Sequence, residues 1–179
     1  MEKKLKNTVL SIFLVILVSG CANNWRTASR ESAGIAPIPS ENKAAVIEVY
    51  AADAFSWRGW FAVHPWIAIK EANASEYTVY EVTGWRVKRG LPAIRSYQTV
   101  TPDRYWYGSK PEKLISLKGE QAEKLIPKVK TAVESYPWAN EYTVFPGPNS
   151  NTFLAWIGLQ VPELELELPF SAIGSGYVD

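Results

Sequence analysis

Three residues of this chain could assemble an activated hydroxyl. Ser150 ends a polar turn, His64 sits within an apolar aromatic run, and Glu81 falls in a later β-rich stretch. Serine is a weak nucleophile and depends wholly on a base, so Ser150 as nucleophile requires His64 as base, with Glu81 orienting the imidazole. The spacing predicts that Pro146-Gly147-Pro148-Asn149-Ser150 feeds a short helix from about Asn151 to Gly158. A helix start offers free N–H groups and partial positive charge, which favour an alkoxide and an oxyanion. The blander reading is equally physical. Asn149 or Ser150 would simply cap that helix, and His64 would be a satisfied strand histidine. No Gly-x-Ser-x-Gly elbow surrounds Ser150.

A second chemistry is binding. Prolines on both sides of Gly147 stiffen a turn whose Asn149, Asn151 and Thr152 would present polar groups to a ligand. Among eight Trp, Trp66 and Trp156 lie in apolar runs and are expected in the core. Trp57 and Trp106, close to Arg58 and Arg104, are expected at the surface, where the rings stack on sugars and the guanidinium groups take an anion. The alternative is that the aromatics are core and the charges a solvated rim. A single His and a single Cys exclude a disulfide framework and a multi-histidine zinc site, so no metal and no cofactor is expected. Lys and Arg total 19 against 18 Asp and Glu, which gives no broad electrostatic case for nucleic acid or for an anionic membrane surface.

The amino terminus reads as an address. Lys3, Lys4 and Lys6 precede an apolar run from Val9 to Val18, then Ser19, Gly20 and Cys21. This is the layout of a secretory signal, and the run is short of the ~20 residues of a membrane span; the alternative is a short membrane anchor. Val18-Ser19-Gly20-Cys21 resembles the bacterial lipobox. The resemblance implies cleavage before Cys21, acylation of that thiol, and attachment to the lipid bilayer. By the same resemblance Ala22, in place of Asp, implies delivery to the outer membrane facing the periplasm in a Gram-negative cell. Peptidoglycan or another envelope component is then the expected ligand.

The elements that must position these residues follow from periodicity. Residues 1–20 are the signal, 21–43 the lipidated terminus and a flexible Ala-, Ser-, Asn- and Pro-rich tether, and 44–179 one globular domain. Strands are predicted over Ala44–Ala51, Trp60–Lys70, Tyr77–Trp85, Asp103–Gly108 and Tyr142–Phe145, and a half-buried strand through Leu164, Leu166 and Leu168. The second and third strands should form a hairpin, and Pro65 suggests a sheet edge or bulge beside His64. Ala122, Leu125, Ile126, Val129, Ala132 and Val133 recur at helical spacing over Gly119–Ser135, with Pro127 inside. The fold class is α+β, an antiparallel sheet against one or two helices. Its order of an early strand His and a later helix-opening nucleophile is similar to the circularly permuted papain-like fold of cell-wall amidases and lipid acyltransferases. Those enzymes use Cys; here the only Cys is the lipobox thiol. The enzymatic reading is thus a Ser/His hydrolase or acyltransferase acting on an envelope amide or ester.

Several segments carry a more specific likeness. Phe61-Ala62-Val63-His64-Pro65-Trp66-Ile67-Ala68, Tyr80-Glu81-Val82-Thr83-Gly84-Trp85, Trp106-Tyr107-Gly108, Tyr136-Pro137-Trp138 and Phe145-Pro146-Gly147-Pro148-Asn149-Ser150-Asn151-Thr152-Phe153 resemble a bacterial family known only as domain of unknown function 3750. The resemblance runs from Trp60 to Tyr177. It implies no activity, but it places His64, Glu81 and Ser150 within the characteristic segments.

Overall fold

The structure, a computed structural model, describes residues 25–178. Five strands, β1 (Val46–Asp53), β2 (Val63–Lys70), β3 (Tyr77–Val82), β4 (Ile94–Thr99) and β5 (Glu112–Lys118), form one antiparallel sheet in the order β4-β3-β2-β1-β5. Three helices follow the notation α1 (Gly84–Val87), α2 (Glu120–Glu134) and α3 (Ser150–Gln160). The α+β expectation holds, including the β2–β3 hairpin.

Strands alternate their side chains between faces. Ile47, Val49, Ile67, Ile69 and Val82 pack with Leu125, Ile126 and Val129 of α2 and Phe153, Leu154 and Ile157 of α3. The opposite face is not left to water. Val46, Tyr50, Trp66, Ala68, Tyr77, Val79 and Trp106 form a second core. This is why the central strands β1 and β2 read as nearly unbroken apolar runs rather than a polar–apolar alternation.

The cover of that second core is coil. Asp103, itself buried, accepts hydrogen bonds from Ser32 Oγ (2.8 Å), Ile35 N (2.7 Å) and Ala36 N (3.1 Å). Tyr77 donates to the Pro37 carbonyl and Trp66 Nε1 to that of Pro102. The expected flexible tether is therefore corrected from Ser29 to Pro37. A buried carboxylate must be satisfied, and this arm supplies the donors. The expected signal, Cys21 and the start of the expected tether lie outside the described residues.

Other departures have local causes. β4 and β5, unforeseen, are the two edge strands. Their Ile-Arg-Ser-Tyr-Gln-Thr and Glu-Lys-Leu-Ile-Ser-Leu-Lys carry the charge that protects an open edge and blurs a strand pattern. Residues 103–108 make only the isolated bridges Ser32–Arg104 and Trp106–Ser109. Residues 142–145 are coil, and 163–168 begin as a 3-10 turn, Pro162–Leu164. Leu164, Leu166 and Leu168 nonetheless all pack on the helix-side core, as their alternation requires. Pro65 pairs with Ala51 of β1, while β3 pairs with β2 only over Ile67–Ile69. The proline thus occupies a local edge inside a central strand.

Candidate functional site

The start of α3 is tied down by the polar turn before it. Asn149 Oδ1 accepts from Asn151 N (2.9 Å) and Thr152 N (3.2 Å), and Asn149 N donates to Thr152 Oγ1 (3.1 Å), a complete capping box. Asn149 Nδ2 donates to the Val144 and Ile173 carbonyls, Asn151 Nδ2 to those of Val63 and Ile173, and Thr152 Oγ1 to Gly174 O. These bonds pin α3 to the residue preceding His64 and to the C-terminal segment. Gly174 lies at φ +93°, and a Cβ there would stand 2.8 Å from the Pro146 carbonyl oxygen and closer still to Asn149 Nδ2. The expectation that Asn149, Asn151 and Thr152 present donors to a ligand is therefore corrected: their donors hold the helix start.

That framework leaves a pocket of about 260 Å³ beside the first residue of α3. Ser150, at N1 of the helix, and His64, at the beginning of β2, both line it. Trp85 and Trp106 form one part of the wall, Trp57, Arg58 and Phe61 a second, and Tyr142, Val144 and Phe145 a third. Asn149 and Asn151 also reach the wall; Thr152 does not. The Trp106 ring stacks on the His64 imidazole at 3.6 Å and 9°, and Trp85 stacks on Trp106 in turn.

His64 is only 6 % exposed. Its Nε2 lies 3.8 Å from Glu81 Oε2, too far for a hydrogen bond, and is buried with no hydrogen-bond partner among the described residues. Burial lowers the basicity of the imidazole, Glu81 opposes that and Arg104 adds to it; the result lies below the ordinary histidine value. The ring is therefore neutral near pH 7. Burial pushes the Glu81 carboxyl up, but His64, Arg104 and Arg95 together pull it below the usual carboxylate range. Arg104 Nη2 reaches both Glu81 oxygens at 3.1 and 3.0 Å, and its Nε donates to Tyr97 Oη at 2.9 Å. Glu81 thus stands behind His64 as expected, yet its hydrogen bonds go to arginine. Since Nε2 faces Glu81, the carboxylate favours a proton on Nε2 and leaves the lone pair on Nδ1.

The structure brings Ser150 and His64 to one pocket, with Glu81 behind the imidazole, but does not join the first two: among the described residues no hydrogen bond links Ser150 to His64 and none is made by Ser150 Oγ. Because the Asn151 and Thr152 N–H groups are occupied by the cap, only the Ser150 N–H remains as an oxyanion donor at that helix start. Trp57 is 56 % exposed, as expected. Trp106 is buried, against expectation, because it forms the second core while one side of it faces the pocket. Arg58 lines the pocket with its guanidinium 5.9 Å from the Trp57 ring centre and makes no ion pair among the described residues. Arg104 is spent on Glu81 and is not a ligand group. Phe55, Phe61, Trp85, Tyr142 and Phe145 went unrecognised as wall residues. Only their concentration near His64 and Pro146 hinted at it. No group of three or more His, Cys, Asp and Glu among the described residues is placed to hold a metal ion.

No curated protein and no solved structure matches this chain. A family model described as a protein of unknown function, DUF3750, matches residues 44–177, which covers all five strands, all three helices and every residue of the pocket, and the chain belongs to that family.

Proposed function

We propose that this chain is an envelope lipoprotein, anchored through acylated Cys21 in the outer membrane and facing the periplasm, that binds an envelope ligand in the pocket between β2 and the start of α3. The observation that carries the binding reading is the composition of that wall. Seven aromatic rings surround a Ser150 hydroxyl that makes no hydrogen bond, a neutral His64 and an Arg58 cation that lies over the Trp57 ring, and no carboxylate among the described residues lines the space. Such a site suits a ligand with an apolar body and an anionic or carbonyl head. The test uses the only histidine of the chain. Envelope extract added to the protein should shift the His64 imidazole resonances; unshifted resonances would dispose of the binding reading. The anchor is tested by mass spectrometry of the N-terminal peptide and by a Cys21→Ser variant, which should be released from membranes.

The meeting of Ser150 and His64 in one pocket favours a second reading, hydrolysis or acyl transfer on an envelope amide or ester. Ser150 Oγ would bond to the carbonyl carbon while His64 Nδ1 takes its proton. The imidazolium would then protonate the departing amine or alkoxide, and water or a second alcohol would release the acyl group from Ser150. A substrate would have to close the missing Ser150–His64 hydrogen bond. A fluorophosphonate probe should then label Ser150 and fail on the His64→Ala chain; an unlabelled parent rejects catalysis and leaves binding standing.

A further inference from the structure

The docked N-terminal arm fixes where the preceding chain leaves the domain. Gly108 N donates to Ser29 O at 3.0 Å, and the Arg30 guanidinium lies 4.2 Å from the Tyr107 ring centre. Tyr107 in turn meets the rings of Phe55, Trp85 and Trp106 at 5.0, 6.0 and 5.0 Å. All three of those rings line the pocket. The chain therefore departs one ring away from the pocket wall. Between Cys21 and Ser29 it can reach at most about 28 Å, at ~3.3–3.6 Å per residue. An acyl chain on Cys21 thus holds the pocket beside the bilayer rather than at the end of a long tether.

The apolar rim of the same pocket is open to solvent. Phe145 is 72 % exposed, and Trp57, Phe61 and Val144 are each more than half exposed; Trp60, which does not line the pocket but shares the 3-10 turn Ser56–Trp60 with Trp57, is 78 % exposed. Trp25, on the departing chain, is also half exposed. Clustered apolar surface of this kind marks an interaction site, and tryptophan favours the boundary between water and lipid. Arg58 supplies a cation at that rim, and no carboxylate among the described residues lines the pocket, which matches an anionic headgroup. The volume of about 260 Å³ is below the ~300–1,000 Å³ of sites that engulf a drug-sized molecule. It fits part of one acyl chain, the remainder staying in the membrane.

We propose that the ligand is an anionic glycerophospholipid-type amphiphile of the bilayer to which Cys21 is anchored, taken while the rim of Trp57, Phe61 and Phe145, with Trp60 beside it, sits in the lipid interface. Its acyl chain lies on the aromatic wall and its headgroup meets Arg58 and Ser150. This rests on the binding reading above and names its ligand class.

The chain beginning at Ala22 keeps every contact described here and lacks the anchoring thiol, so it reports on the rim alone. It should cosediment with vesicles of phosphatidylethanolamine and phosphatidylglycerol, and vesicles with brominated acyl chains should quench its tryptophan fluorescence. Trp57→Ser with Trp60→Ser should weaken the partition about tenfold or more with an unchanged melting temperature, since both side chains are mainly exposed. Monomeric dihexanoyl phosphatidylglycerol should shift the His64 resonances. No vesicle binding, or equal binding by the rim variant, overturns the docking; a His64 shift in that case leaves the binding reading intact. Vesicle binding with no His64 shift overturns the lipid as occupant of the pocket. Neither effect, with His64 also silent to envelope extract, removes both proposals.

Discussion

Glu81→Gln removes one negative charge from the wall behind His64 and leaves the shape almost unchanged. The carboxylate is 1 % exposed and accepts from Arg104 twice and Arg95 once. The Arg95 side chain is 44 % exposed and can turn to water, so that pair contributes under about 1 kcal/mol. The Arg104 side chain is 14 % exposed and cannot. Removing one partner of a buried pair costs ~3–5 kcal/mol because a charge is left uncompensated. Glutamine retains one acceptor oxygen, which places the expected loss near the lower end, about 3 kcal/mol. At ~2–4 °C per kcal/mol for a chain of this size, the melting temperature falls by roughly 6–12 °C. Thermal and urea unfolding followed by circular dichroism measure this. The same sample gives a second reading, because Glu81 is the group that raises the His64 value against burial. In the variant His64 should titrate lower still by proton NMR. A melting temperature within about 2 °C of the parent, or a His64 that titrates higher, refutes the assignment of Glu81 as the compensating charge. Glu81→Leu combined with Arg104→Met should lose less than Glu81→Leu alone, because neither charge is then stranded.

The pH dependence has a fixed sign. The His64 value is depressed in the folded chain, so below about pH 6.5 the unfolded state takes up the proton first and stability falls with acidification. Glu81 is also depressed; its contribution is present above its unfolded value near 4.5 and is lost as pH falls from there through its folded value. Urea midpoints across pH 3–8 should show both declines, and His64→Gln should abolish the upper one. Asn149→Ala deletes the α3 cap and the donors to Val144 O and Ile173 O; it should cost about 2–4 kcal/mol by urea unfolding, whereas a cost below about 1 kcal/mol would mean the cap does not hold the turn. Gly174→Ala should destabilise by more than about 1 kcal/mol, through positive φ and the Cβ contact with Pro146 and Asn149.

What could be read in the sequence depended on how one-sided the physics was. The spacing of Leu125, Ile126, Val129 and Val133 fixed α2, because a single buried face leaves a period. The turn through Asn149 and Ser150 announced α3, because capping is local chemistry. His64 and Ser150 were traceable to one pocket only through fold-level analogy, since their approach depends on Asn151 of α3 bonding to Val63 O of β2, far away in sequence. The edge strands β4 and β5 were hidden by their own charge. Trp106 was misplaced because its neighbours in sequence are polar, whereas its neighbours in space are His64, Trp66 and Trp85. Arg104 looked available for a ligand for the same reason; its partner Glu81 comes from β3, distant in sequence. The arm from Ser29 to Pro37 has the composition of a tether, and only the need of buried Asp103 for donors reveals that it docks.

The central claim is that the space between His64 and Ser150 is built to be filled. Native mass spectrometry of the protein gently isolated from the cells that make it tests it most directly. The parent chain should carry one additional small-molecule mass, lost from an Ala62→Trp variant whose new ring occupies the pocket that Ala62 lines. A parent chain that carries no mass beyond the polypeptide and any covalent anchor, or an adduct that persists in the filled variant, would contradict it.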